Sequence, residues 1–205
     1  FLGPWERGGE WNDAGLNGVV RWLHRVWRLV LEDDSHLAGV HPGEDARRAL
    51  LRITHQTIKR VTQDLEHFQF NTMVAALMEF TNYLGKVWQD RAVDAALWRQ
   101  ARDTLLLLLA PSAPHMAEEL WVRTGHPYSI HNQPFPQWDE ALAAEEQITL
   151  VVQVNGKLRD RLTVPASIPE ERARELALAA EKIRPYLEGK AVEKVLVTAD
   201  LPEGR

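Results

Sequence analysis

The stretch APSAPHMAEELW, Ala110 to Trp121, decides the fold. The five leucines before it, Leu105 to Leu109, read as the end of a helix buried on most sides. Pro111 stops that helix, because it has no N–H to donate and its ring collides with the preceding turn. The chain then restarts. Ser112 offers a hydroxyl as N-cap, Pro114 fits the first turn, and Glu118 and Glu119 precede the apolar pair Leu120 and Trp121. The stretch predicts a corner at which two helices of a bundle meet.

Outward from that corner the helical pattern continues. From about Asp13 to Leu31, the residues Val19, Trp22, Leu23, Val26, Leu29 and Val30 recur at helical spacing. Gly43-Glu44-Asp45 opens a second helix, with acids in its first turn where the helix dipole favours them. It runs to about Phe68 on a stripe of Ala46, Leu50, Ile53, Val61, Leu65 and Phe68. Asn71 is expected to cap a third helix, which carries Met73, Val74, Leu77, Met78 and Phe80 towards Trp88. A fourth spans about Asp94 to Leu109. Long helices with short connections most simply make an antiparallel bundle.

After the corner the character changes. Gly125 to Asp139, with Pro127, Pro134 and Pro136, reads as an ordered loop, and Glu140 to Gln147 as an acidic, alanine-rich linker. ITLVVQVNGKLRDRLTVP, Ile148 to Pro165, sets two β-rich runs around Asn155-Gly156, a strong hairpin signal. Ser167-Ile-Pro-Glu170 reads as a capping box ahead of a helix through about Leu187, and Val192 to Thr198 as a further strand. The predicted fold class is mainly α: an antiparallel helical bundle over 1–147, linker included, then a small α/β domain over 148–205.

Composition narrows the function. Apolar residues at 45% and charged residues at 26% of 205 fit a globular chain and exclude a mainly disordered one. A net charge of −5 excludes a generally basic nucleic-acid binder, so any such contact must use local cationic stripes. With no cysteine there are no disulfides, thiolate zinc sites or cysteine nucleophiles. No run approaches the ~20 apolar residues of a membrane span. The opening FLGPWERGGEW lacks the pattern of a signal peptide, and the missing initial methionine suggests a piece of a longer chain.

Three stripes carry positive charge. Arg48, Arg52, His55 and Lys59 on the second helix lie within about 60° of one another at 3.6 residues per turn, opposite its apolar stripe. Arg21, Arg25 and Arg28 form a shorter stripe on the first helix. Repeated cations of this kind suit backbone phosphates, and the same pattern fits a solvated face with scattered salt bridges. On the hairpin, Lys157, Arg159 and Arg161 would share one strand face if Leu158, Leu162 and Val164 share the other. That face requires a one-residue offset, pairing Val154 with Leu158, Val152 with Asp160 and Leu150 with Leu162; a basic edge strand kept for solubility is the alternative. His115 and Glu119 sit four apart but lack a second histidine, so a core-edge histidine satisfied by hydrogen bonds is expected rather than a metal ligand. Trp22, Trp88, Trp98 and Trp121 occupy apolar helical positions and are expected in the core. Neither a P-loop nor a Gly-x-Ser-x-Gly nucleophile is present, and nothing reads as catalytic.

The Ala110–Trp121 corner resembles the LAPxAPHxAEELW corner in the C-terminal helical domain of class I aminoacyl-tRNA synthetases for leucine, isoleucine, valine and methionine. THQTIKRVTQDLEHFQFNTMVAALMEFTNYL, Thr54 to Leu84, resembles the bacterial leucyl-tRNA synthetase family in particular. WNDAGLNGVVRWLHRVWRLV from Trp11 is similar to the first helix of that domain, and VVQVNGKLRDRLTVPA, Val151 to Ala166, to the opening of the family's small C-terminal domain. The resemblance implies a non-catalytic, cytoplasmic, monomeric fragment that binds tRNA(Leu) through both parts, the helical one on the tRNA body and the small one at the elbow. The nine basic residues other than His55 would then be tRNA contacts. The fragment itself would need no cofactor; ATP and Mg would serve a catalytic domain which, with an editing domain, belongs to the same polypeptide. The catalytic HIGH and KMSKS motifs are absent here, and the chain ends at Pro202-Glu-Gly-Arg205, before the last short strand the family would supply. A helical protein-interaction scaffold and a metal-dependent helical-bundle hydrolase are the competing functions.

Overall fold

The computed structural model describes Gly3, Gly8 and residues 13–144, 147–166 and 168–187. The rest of the predicted N-terminal loop, Ser167 of the predicted capping box and the strand expected over Val192 to Thr198 lie outside the described residues. Two compact units divide the chain, 1–144 and 145–205.

The first unit is helical. Helices α1 (Asp13–Leu31), α2 (Glu44–Glu66), α3 (Phe70–Gln89), α4 (Ala95–Leu109) and α5 (Pro114–Arg123) are followed by a one-turn helix α6 (Glu140–Ala143). α2 packs on α3 and α4, α3 also on α4 and α1, and α5 on α4 and α1. Trp22, Leu50, Leu77, Phe80, Leu84, Trp98, Leu105, Leu106, Leu108, Leu109 and Leu120 fill one core. Burying so many large side chains against one another is what holds these helices, each side chain contributing about 1.5–3 kcal/mol. Trp22 carries a polar atom inward, and its indole N–H donates to the buried Thr81 hydroxyl at 3.0 Å. A 3-10 turn, Asp34–Leu37, is locked to α4 by a two-pronged Arg99–Asp34 pair at 2.6 and 2.8 Å, and Arg99 holds the Asp34 carboxyl below the usual range.

The corner differs in detail from its reading. Ala113, not Ser112, is the N-cap of α5, with Pro114 at its first position. The Ser112 hydroxyl instead donates back to the Leu109 carbonyl, closing the end of α4. Asn71 is likewise inside α3, whose N-cap is Gln69, whereas Asp94 caps α4 by accepting from the Leu97 N–H. The connections between α2, α3 and α4 are short because each helix closes on a residue with left-handed backbone, Phe68 after α2 and Arg91 after α3. The next amide donates back across the turn: Gln69 to Asp64, Ala92 to Val87.

The second unit holds strands β1 (Gln147–Val154) and β2 (Lys157–Pro165), paired antiparallel, and helices α7 (Glu170–Ala179) and α8 (Arg184–Leu187). Val152, Val164, Ala173 and Ile183 form its buried centre. The single predicted helix is broken: after Ala179 the backbone turns extended at Ala180 and restarts at Arg184. Pro169 is the N-cap of α7, so Glu170 stands at the first helical position rather than the third that the capping-box reading gave it.

Candidate nucleic-acid interface

Helix α1 buries Trp22, Val26 and Val30, which turns Arg21, Arg25 and Arg28 outward to solvent. Among the described residues, no carboxylate is paired with any of the three. Together with His24 and Trp27 they line a surface hollow of about 450 Å³. A second hollow of about 410 Å³ lies between α1 and α5 and is lined by Leu23, His24, Trp27 and Met116. The Arg123 guanidinium stands 5.3 Å above the Trp27 ring and is held there by Glu119 at 2.7 Å.

The longer stripe, on α2, is largely engaged by its own protein. Lys59 binds both oxygens of Glu140, at 2.9 and 3.0 Å, and the Trp138 indole N–H donates to the same carboxylate. His55 Nδ1 accepts the Asp139 N–H at 3.0 Å, and Gln56 donates to the Ala143 carbonyl. The end of the loop and the first four residues of the segment read as a linker, Glu140–Ala143, are thus seated on α2. These hydrogen bonds, Trp138 first and Lys59 second, hold the Glu140 carboxyl below its usual range. Arg48 pairs with Glu44 one turn away at 3.2 Å, and Arg52 is half-buried near Tyr83, whose phenol burial pushes up. Of the two helical stripes, the shorter one on α1 keeps its charge available among the described residues, and the longer one on α2 has much of it neutralised.

The hairpin stripe is not a stripe. Val152 pairs with Asp160 and Leu150 with Leu162 as expected, but Val154 pairs with Lys157 across a two-residue Asn155-Gly156 turn. The offset is a bulge further along, between Val152 and Gln153, where Arg159 has no partner on β1. Both turn residues take positive φ, 52° and 73°, the backbone that a tight hairpin demands. The bulge moves side chains between faces. Leu158, 47% exposed, shares a face with Arg161 and Val151, while Lys157 falls on the face of Val154. Arg159 turns to Tyr186 of α8, 4.2 Å above its ring and 3.0 Å from its hydroxyl. Asp160 pairs with Lys182 at 3.0 Å. Only Lys157 and Arg161 remain exposed and without an ion pair among the described residues.

His115 is exposed rather than at the edge of the core, and Glu119 turns away from it to Arg123. No group of three potential metal ligands exists among the described residues. Trp22, Trp98 and Trp121 are buried and Trp88 half-buried, as expected; the Trp121 indole donates to the Pro127 carbonyl and stacks on His126 at 3.8 Å. Two participants escaped the sequence reading: Trp27, and Glu118, whose carboxylate receives the Ser129 hydroxyl and the Ile130 N–H. No helix among the described residues is long and apolar enough to cross a membrane.

A two-unit chain with a five-helix bundle, a proline corner and a cationic first helix has known counterparts. The family described as the anticodon-binding domain of tRNA ligase matches residues 47–174, and the chain belongs to it. Its relatives are leucine–tRNA ligases: that of Dehalococcoides mccartyi (strain CBDB1) is 52% identical over 96% of this chain, and that of Rubrobacter xylanophilus 50% identical over 96%. The chain spans about a quarter of their length, 24% and 23%. A ternary complex of Agrobacterium radiobacter K84 LeuRS with tRNA and LeuAMS superposes with a TM-score of 0.77 at 32% identity, covering 92% of this chain and 25% of that one.

Proposed function

We propose that this chain is the tRNA-holding part of a leucine–tRNA ligase, with helix α1 as its principal contact. Its task is positioning: it binds the tRNA(Leu) body so that the acceptor end reaches a leucylation site elsewhere in the same polypeptide. ATP and Mg would be used at that site, and neither is required here. The observation that carries this reading is the trio Arg21, Arg25 and Arg28, exposed and without a carboxylate partner among the described residues, on a chain of net charge −5. Arg48 and Arg52 extend the contact from α2, and Lys157 and Arg161 supply the small unit's share. Arg159 and Lys59 act within the protein, on Tyr186 and Glu140. The solved LeuRS neighbour holds tRNA, which supports RNA over a protein-interaction scaffold.

Titration of labelled tRNA(Leu) into the 205-residue chain tests this. Saturable binding that weakens steeply with salt is expected, since released counterions drive phosphate contacts. No binding at low salt would refute it.

A further inference from the structure

The two hollows on α1 differ in chemistry and share a wall. One is rimmed by Arg21, Arg25 and Arg28; the other has an apolar floor of Leu23 and Met116. His24 and Trp27 line both. A nucleotide has this same division, an anionic phosphate joined to a flat, largely apolar base. Neighbouring turns of a helix place side chains about 5–6 Å apart, which is the reach from a phosphate to its base. Trp27 is half-buried, so its position is fixed by packing while part of the indole faces the hollow. Arg123 lies over the ring and Glu119 holds Arg123, so the platform is braced from the α5 side. Paired bases are stacked inside their own helix and cannot enter a hollow; unpaired ones can, and they stack on aromatic side chains.

We propose that the adjoining hollows seat one unpaired nucleotide of the bound RNA, its base against Trp27 and its phosphate among Arg21, Arg25 and Arg28. This rests on the reading of α1 as the RNA-facing helix and adds to it a base contact. Charge and stacking then do separate jobs. The arginines give salt-sensitive attraction, and Trp27 with Met116 gives a salt-insensitive contact that a duplex cannot make.

The experiment measures binding of a labelled tRNA(Leu) transcript, and of a blunt RNA duplex, to the 205-residue chain from low to moderate KCl. Trp27→Leu should weaken tRNA binding about tenfold at every salt concentration, on the scale of one base–aromatic stack, with the salt slope unchanged. Duplex binding should not move, and Trp27→Phe should restore most of the affinity. Met116→Phe fills the hollow while leaving Trp27 and the core in place, and should reproduce the weakening if Trp27→Leu fails to fold. Arg21→Gln with Arg25→Gln should instead flatten the salt slope by about 1.4–1.8. Folded Trp27→Leu and Met116→Phe variants that bind tRNA as the parent does would overturn the nucleotide seat. An unchanged slope in the double arginine variant would overturn the RNA-facing reading of α1 itself.

Discussion

Glu118 is a half-buried anchor for the loop that follows α5, and its removal should be costly to the bundle. Its side chain is 18% exposed, and one oxygen receives both the Ser129 hydroxyl and the Ile130 N–H, the latter at 3.1 Å. Ser129 and Ile130 are themselves 5% and 2% exposed, so neither donor has water to turn to. Hydrogen bonds to a charged acceptor contribute about 1.5–3 kcal/mol each, and the two share one oxygen, so Glu118→Ala should cost about 3 kcal/mol. Glu118→Gln keeps the shape and an accepting oxygen but removes the charge, and should cost about 1 kcal/mol. All eight tryptophans lie in the first unit, the last being Trp138, so urea unfolding followed by tryptophan fluorescence reports on the bundle alone. A lowered midpoint at unchanged slope is expected. Glu118→Ala within about 0.5 kcal/mol of the parent, the range of ordinary surface changes, would refute the anchoring argument.

Two more expectations follow from the structure. The Glu140 carboxyl is held below its ordinary 4.5, so its attachment to α2 is fully present above that value and is lost as pH falls through the lower folded value; Lys59→Gln, which removes the same pair at neutral pH, should lower the protection of the Asp139 amide relative to its intrinsic exchange rate, and unchanged protection would count against the attachment. Arg159→Gln removes the stacking and hydrogen bond on Tyr186 and should destabilise the small unit by about 1 kcal/mol, whereas Arg161→Gln should stay within about 0.5 kcal/mol; equal effects by thermal circular dichroism would contradict the bulge assignment.

The bundle was legible because its long helices repeat apolar residues at one spacing, and α1 begins and ends where that spacing does. Helix ends were less so. Phe68 and Arg91 close α2 and α3 with a backbone that glycine usually supplies, and their side chains carry no sign of it. On the hairpin, alternation predicted a basic face, but a bulge at Arg159 resets the alternation midway, and no residue type announces a bulge. For the candidate site, sequence located the three stripes but not Arg123, and could not weigh the cations it found. Lys59 and its neutralising Glu140 are 81 residues apart, and only the fold brings them together. Trp27 stands one residue off the Trp22–Val26 stripe, so its spacing assigned it no role, and its exposed edge depends on where α5 lies.

The proposal places the charge that RNA meets chiefly on α1, with α2 only extending it. The most direct test compares two sets of substitutions in tRNA(Leu) binding across a salt series. Arg21, Arg25 and Arg28 all changed to Gln should flatten the slope of log K against log salt by about 2–3, at roughly 0.7–0.9 for each phosphate that is no longer neutralised. Arg52 and Lys59 changed to Gln should flatten it by less than about 1, because Lys59 is already satisfied by Glu140. A larger change of slope from the α2 pair than from the α1 trio would contradict the account.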